Sequence, residues 1–343
     1  MGNNKKNKKN KEKNPFVSIC TPTFNRRPFV PMMLKCFEHQ TYPKDKIEWI
    51  IIDDGTDKIE ELVTHIPQVK YIRSDEKLTL GKKRNMSNEI SKGDIIIYMD
   101  DDDYYPPERI SHAVETLQQH PKALCAGSSL MHIYFKHINK MVQFGPYNPN
   151  HATAATFAFK RELLLQTKFE ENACVAEEKQ FLKNYTVPFV QLDPMKTILV
   201  FSHNHNSFDK KELLKIFPTP VANYSNKTPE DFVKEPDILN FFIKDIDNLL
   251  DMYDLGNPKH KPDVIKQMEE IKTQRETMQK KQVEQQLLLN KITNNNNNNN
   301  IDQQAHLIYN LIFENNQLKE KVKYLEDKVN KFISEKINEK NNK

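Results

Sequence analysis

The sequence predicts an α/β domain built on a mainly parallel sheet, followed by an α-helical tail that ends in a coiled coil. Three observations point there. Apolar strand-like runs alternate with helical patterns from Pro15 to about Asp103, the signature of βαβ units. Twice in that stretch a buried run stops abruptly at carboxylates, at Asp53-Asp54-Gly55 and at Asp100-Asp101-Asp102-Asp103. Far downstream, past a run of asparagines, apolar residues fall into a strict heptad.

Taken in order, Phe16–Cys20 reads as a first strand ending in Thr21-Pro22-Thr23-Phe24-Asn25, and Phe29–Phe37 carries apolar residues at helical spacing. Trp49–Ile52 is a second strand, Asp57–Ile66 a helix, Val69–Arg73 a third strand, Gly81–Ile90 a helix, and Ile95–Met99 the strand that runs into four aspartates. In open α/β sheets ligands bind beyond the carboxyl ends of strands, so both acidic clusters are expected to face one crevice. Ala123–Phe201 holds shorter strand-like runs with mixed signals, and the pattern turns helical beyond Asp209, breaks at Gly256-Asn257-Pro258 and resumes as a polar helix over Asp263–Asn290. The expected organisation is a disordered basic tail over 1–14, the α/β domain over 15–210, a helical extension over 211–257, a long polar helix over 258–293, an asparagine-rich linker over 294–300 and a coiled coil over 301–340. In the last segment Ile308, Asn315, Val322 and Val329 occupy position a, and Leu311, Leu318, Leu325 and Phe332 position d. Asn315 at a, with Glu314/Lys319 and Lys321/Glu326 at the spacing of interchain ion pairs, predicts a parallel homodimer. The alternative is a helix folded back on the preceding one, with the asparagine linker as the turn.

Composition narrows the classes. The chain has 343 residues, room for one sizeable domain plus an appendage, and a net charge of only +4. Much of the basic character lies in Lys5, Lys6, Lys8, Lys9, Lys11 and Lys13. This stretch is read as a solvated tail, with a weak tether to an anionic membrane or nucleic acid as the alternative, and no nucleic-acid partner is expected. Four widely spaced cysteines without a C-x-x-C pair indicate neither a zinc site nor a disulfide framework. With neither an apolar span of about 20 residues nor a secretory h-region, a cytoplasmic enzyme is expected. The lysine-asparagine bias suggests an AT-rich genome, as in amoebae, malaria-like parasites or large viruses of amoebae, and for a virus the compartment would be the host cytoplasm.

Four adjacent carboxylates after a buried strand repel one another, and a divalent cation relieves that repulsion; hard oxygen ligands suit Mg²⁺ or Mn²⁺. A solvated acidic turn is the plainer alternative. Just upstream, Gly81-Lys82-Lys83-Arg84-Asn85 opens a helix that can offer cations and free N–H groups to a phosphate. Metal, cations and helix end together imply a nucleoside diphosphate.

At this point the chain resembles the family 2 glycosyltransferases. It carries, in the family's order, Thr21-Pro22-Thr23-Phe24-Asn25-Arg26, Gln40-Thr41-Tyr42-Pro43, Asp53-Asp54-Gly55-Thr56, Gly81 to Asn85 (one residue shorter than the common spacing) and Asp100 to Asp103. The resemblance implies a GT-A fold, the Rossmann-like architecture of nucleotide-diphospho-sugar transferases, and a nucleotide-sugar donor, a UDP-sugar by family frequency. It implies that Thr21, Pro22 and Asn25 line the nucleotide pocket, that Asp53 or Asp54 accepts from the base, and that Lys82 and Arg84 approach the base or diphosphate. Asp100 would reach ribose and metal, Asp101 would belong to the donor site, and Asp102 would be the main metal ligand. Glu177-Glu178, ahead of Lys179-Gln180-Phe181-Leu182, resembles the family's E-D-x-x-[FL] motif, whose second acid is the base of an inverting displacement. That acid is Glu178 here, which keeps the chemistry on a longer arm; an acidic first helical turn favoured by the macrodipole is the structural alternative. In Ser202-His203-Asn204-His205-Asn206 either histidine could complete the metal shell, with His203 preferred because His205 is placed to contact phosphate.

Trp49 is the sole tryptophan, so the Q-x-x-R-W motif of processive synthases cannot exist, and transfer of a single sugar to a hydroxyl of a glycan or protein is expected. A sugar-nucleotide pyrophosphorylase would carry a glycine-rich loop after its first strand, which Phe16–Arg26 lacks. An assembly protein with a degenerate transferase domain on a dimeric coiled coil would bind nucleotide without turnover, and intact motifs argue against it.

Overall fold

The computed structural model describes residues 14–294, Ile216 apart, and Leu311, Glu314, Asn315, Gln317, Leu318, Val322, Leu325 and Val329. The basic tail up to residue 13, the linker beyond Asn294, and the heptad and charge positions Ile308, Phe332, Lys319, Lys321 and Glu326 lie outside the described residues. The chain divides into two units, one ending at Met268 and one beginning at Glu269.

In the first unit, β1 (Val17–Thr23), β2 (Ile47–Asp53) and β4 (Ile95–Tyr98) form because their apolar runs are buried on both faces, as central parallel strands require, and β3 (Val69–Arg73) is the partly exposed edge strand. Side chains alternate across the sheet: Ile19, Ile51 and Ile97 enter one apolar cluster, and Cys20, Ile50, Ile52 and Ile96 the other. Next come β5 (Cys125–Gly127), β6 (Met131–Phe135), β7 (Lys140–Phe144), β8 (Ala158–Lys160), β9 (Phe189–Gln191), β10 (Leu199–Ser202) and β11 (Ala222–Tyr224). The main sheet has seven strands in the order β3-β2-β1-β4-β8-β5-β9, parallel except for β8, which runs against β4 and β5. Its order reverses between β1 and β4, and such a switch point opens a crevice at the strands' carboxyl ends. A second sheet, β10-β6-β7-β11, joins the aspartate loop through the bridge Tyr104–Leu199.

The helix Leu80–Ile90 starts at Thr79, whose hydroxyl accepts from Lys82 N–H at 3.2 Å. Gly81 is required there, because a Cβ would sit 1.9 Å from the carbonyl oxygen of Glu170. The helix expected over Asp57–Ile66 is the single turn Glu60–Val63. Between 211 and 257, β11 is followed by the short helix Pro229–Phe232 and by a continuous helical run from Pro236 to Asp251 with a π-helical turn at Phe241–Asp245; Pro218, Pro220, Pro229 and Pro236 keep helix from forming earlier in the segment. These pieces belong to the first unit, where Phe242 stacks on Phe201 at 4.3 Å. The helix Pro262–Asn294 is 33 residues long, about 50 Å at 1.5 Å per residue. In the second unit the described heptad residues Leu311, Leu318, Val322, Leu325 and Val329 are helical and half-exposed. Among the described residues no helix is long and apolar enough to cross a membrane.

Candidate active site

The crevice at the switch point is a cavity of about 360 Å³. Its floor is the loop after β4. Asp100 N–H donates to the Tyr105 hydroxyl at 2.7 Å, which fixes the turn, and Arg84 lies 3.6 Å from the Asp100 carboxylate. Arg26 is the hub of the loop: its guanidinium lies 3.5 Å from Asp101 and 3.3 Å from Asp102, and it also donates to the carbonyls of His205 and Gly256. Burial raises Asp101 to about 7 against the pull of Arg26, and burial with the neighbouring Asp102 charge holds Asp103 well above the carboxylate range. Burial pushes on Asp102 too, but Arg26 and His203 outweigh it and keep that carboxylate ionised. The floor is therefore a cluster of four carboxyls in which Asp102 is held ionised while burial pushes Asp101 and Asp103 toward the protonated form.

His203 follows β10 with Nε2 3.4 Å from Asp102, while Asn206 Nδ2 approaches the same nitrogen at 2.8 Å. Burial lowers the ring to about 4, so it is neutral at physiological pH, as a metal ligand must be. His205 has other neighbours: its Nδ1 lies against Gly256, and neither histidine is among the residues that line the cavity. Among the described residues no three His, Cys, Asp or Glu side chains gather closely enough to hold a metal ion by themselves.

Several residues of the sequence motifs build the scaffold under the cavity and do not line it. Thr21 is fully buried, donating to Met99 O at 2.7 Å and accepting from Trp49 Nε1 at 2.9 Å. Asn25, at φ 51°, accepts from Asp57 N–H and donates to Leu255 O at 2.9 Å. Asp53 caps its own turn, accepting from Gly55 N–H, Ile59 N–H and the Tyr71 hydroxyl. Pro22 and Asp54 do line the cavity. Lys82 is exposed, whereas Lys83 is buried and reaches Asp54 at 2.7 Å and Thr23 O at 3.1 Å.

The cavity lining also includes Glu177 and Glu178. Glu177 is buried and accepts from Arg84 Nε at 2.9 Å; the same guanidinium lies 4.4 Å over the Tyr98 ring. Glu178 opens the helix Glu178–Phe181, lines the cavity and has no partner side chain among the described residues. Burial, then the charge of Glu177, raises it to about 7. Two adjacent carboxylates thus sit in opposite circumstances, one clamped by an arginine and one without a side-chain partner and raised toward the protonated form.

Residues 18–184 match the sequence profile of Glycosyl transferase family 2. They form a family 2 glycosyltransferase domain. Among curated relatives, an uncharacterized glycosyltransferase of Haemophilus influenzae is 30% identical over 107 residues, 31% of this chain and 36% of that protein. The putative colanic acid biosynthesis glycosyl transferase WcaA of Escherichia coli is 32% identical over 111 residues, 31% of this chain and 39% of that protein. The chain thus spans less than two-fifths of the length of these two relatives. Among solved structures, S. aureus TarS 1–349 superimposes with a TM-score of 0.46 at 18% identity, covering 55% of this chain and 60% of that one.

The glycosyltransferase domain does not finish its own cavity. Lys210, read in the sequence as the end of the α/β domain, and Lys261, read as part of the long polar helix, line it from beyond residue 184. Lys261 is buried, donates to Ser207 Oγ at 2.8 Å and lies 5.6 Å from the Phe24 ring centroid; burial and the neighbouring Arg26 lower it to about 7. Lys77 flanks the same ring at 5.4 Å and pairs with Asp263. Nothing in local sequence spacing marks these lysines, whose partners are distant in the chain. Arg26 carried a signal, standing at the end of the first motif, but read there as motif rather than as the cation of the aspartate loop.

Proposed function

We infer that the chain transfers a single sugar from a nucleoside diphospho-sugar, a UDP-sugar by family frequency, to a hydroxyl of a glycan or protein, with inversion at the anomeric carbon. One observation carries this reading: the carboxylate of Glu178 and the aspartate run line one cavity that also holds Arg26, Lys83, Arg84, Lys210 and Lys261. Cations and carboxylates in that balance suit a diphosphate bound together with a divalent ion.

The residues fit Mn²⁺ or Mg²⁺ held in part by substrate. Such ions take one or two protein ligands and complete their shell with phosphate oxygens, and Asp102 with His203 supplies that pair, with Asp100 nearby on the same loop. When bound, the ion would neutralise charge gathering on the departing diphosphate. Pro22 and Asp54 would border the nucleotide, Arg84 would hold Asp100 and Glu177 in place, and Lys210 and Lys261 would face the phosphates. Glu178 takes the acceptor O–H proton as the acceptor oxygen bonds to the anomeric carbon and the carbon–oxygen bond to the diphosphate breaks. Glu177 is held by Arg84, which leaves Glu178 as the unpaired carboxylate of the two and supports single displacement. NMR of the fresh product tests this: inversion of the donor's anomeric configuration is expected, and retention would overturn the mechanism. The heptad residues exposed at a and d support a homodimer through the tail.

A further inference from the structure

Near Glu178, outside the residues that line the cavity, lies an aromatic row in which Tyr185 packs against the apolar core while Tyr147 stands exposed. The Tyr147 and His151 rings lie 5.0 Å apart and the His151 and Tyr185 rings 5.1 Å apart, all three mutually tilted. Tyr147 is 50% exposed, and His151 and Tyr185 are only partly covered. Two loops build the row. One leads through His151 to Thr153, which lines the cavity. The other is the turn after Glu178–Phe181, where Lys183, Asn184 and Tyr185 take φ values of 51°, 56° and 62°.

Three successive non-glycine residues in the left-handed region are disfavoured, and such strain persists only where the surroundings hold it and function uses it. Here Lys183 N–H donates to Gln180 O at 2.8 Å, Asn184 N–H to Lys179 O at 2.9 Å, and Asn150 Nδ2 to Tyr185 O at 3.2 Å. The last bond ties the two loops together. The turn brings Tyr185 to His151 on the side of the base, near enough for the Glu178 charge to help burial raise the phenol. The cationic wall of Lys77 and Lys261 lies around Phe24.

We propose that Tyr147, His151 and Tyr185 form the acceptor subsite and bind a pyranose ring, so that the acceptor is a glycan whose terminal hydroxyl is presented to Glu178. This rests on the transferase reading above. A sugar ring has an apolar C–H face that lies on aromatic surface and hydroxyl edges that phenols can bond. The row's two centroid spacings match a glycan end of more than one ring better than a lone serine or threonine hydroxyl.

The test uses the full chain and saturation-transfer NMR with methyl β-pyranosides of glucose, galactose, mannose and N-acetylglucosamine and their β-linked disaccharides. One of these should bind through one ring face. Tyr147→Ala, at an exposed position, should weaken that binding about tenfold, and Tyr185→Phe should retain it. Donor hydrolysis to water should be unchanged in Tyr147→Ala, while KM for the sugar acceptor rises. Binding by none of the sugars, or binding unchanged in both Tyr147→Ala and Tyr185→Ala, overturns the platform. Platform-dependent sugar binding without release of nucleoside diphosphate from any donor would instead sink the transferase reading and leave the platform standing.

Discussion

Replacing Glu178 by glutamine separates catalysis from stability in a way this site makes specific. Burial and the adjacent Glu177 raise its carboxyl from the ordinary 4.5 to about 7, a preference for the protonated form worth roughly 3 kcal/mol. The folded chain therefore binds this proton more tightly than the unfolded chain does. Glu178 opposes folding least below pH 4.5, increasingly as pH rises from 4.5 to 7, and fully above 7. Glutamine cannot ionise, so Glu178→Gln should stabilise the fold at pH 8 by up to roughly 3 kcal/mol and have little effect near pH 4. As the general base, Glu178 must be deprotonated to act. Turnover of wild type should rise with pH and level off above about 7, and the variant should lose about 10²- to 10⁴-fold in kcat. Urea denaturation at pH 5 and 8, with kcat/KM from pH 5 to 9, measures both. Unchanged or reduced stability at pH 8 together with kcat within a few-fold of wild type would refute the placement of Glu178 as a buried, unpartnered base.

Other substitutions probe the scaffold. Arg26→Met leaves Asp101 and Asp102 without their shared cation and should cost about 3–5 kcal/mol; Mn²⁺ should then raise the melting temperature more than in wild type, and an unchanged melting temperature would argue against the hub. Lys83→Met breaks a buried pair with Asp54 and should cost a similar amount, about 3–5 kcal/mol, whereas exposed Lys82→Ala should stay within about 0.5 kcal/mol of wild type in the same denaturation assay. If the tail dimerises as proposed, Leu318→Glu combined with Leu325→Glu, at exposed heptad positions, should give a monomer by light scattering where wild type is a dimer, without changing the first unit's activity per chain.

The central strands were legible because parallel strands buried on both faces read as unbroken apolar runs, so Ile50–Ile52 and Ile95–Ile97 announced themselves and the carboxylates after them located the crevice. Side-chain direction was not legible to one residue. Adjacent lysines on a helix point about 100° apart, and the Thr79 cap sets the phase that buries Lys83 and exposes Lys82. Thr21, Asn25 and Asp53 look like ligand contacts in a motif, yet their partners are backbone groups and side chains such as Leu255 O and Trp49, whose closeness only the fold creates. The same distance hid Lys210 and Lys261. In the extension, the apolar spacing of Phe241, Phe242 and Ile246 signalled the helical run Pro236–Asp251, and Pro236 at its first position sets where it starts.

The most direct test is release of nucleoside diphosphate from a panel of UDP-, GDP- and other nucleotide-sugars, with Mn²⁺, Mg²⁺ or EDTA, by wild type and Asp102→Ala. The account predicts turnover of one donor, dependent on the divalent ion and abolished by the substitution. Turnover that survives both EDTA and Asp102→Ala, or binding of nucleotide with no turnover of any donor even with glycan acceptors present, would contradict it.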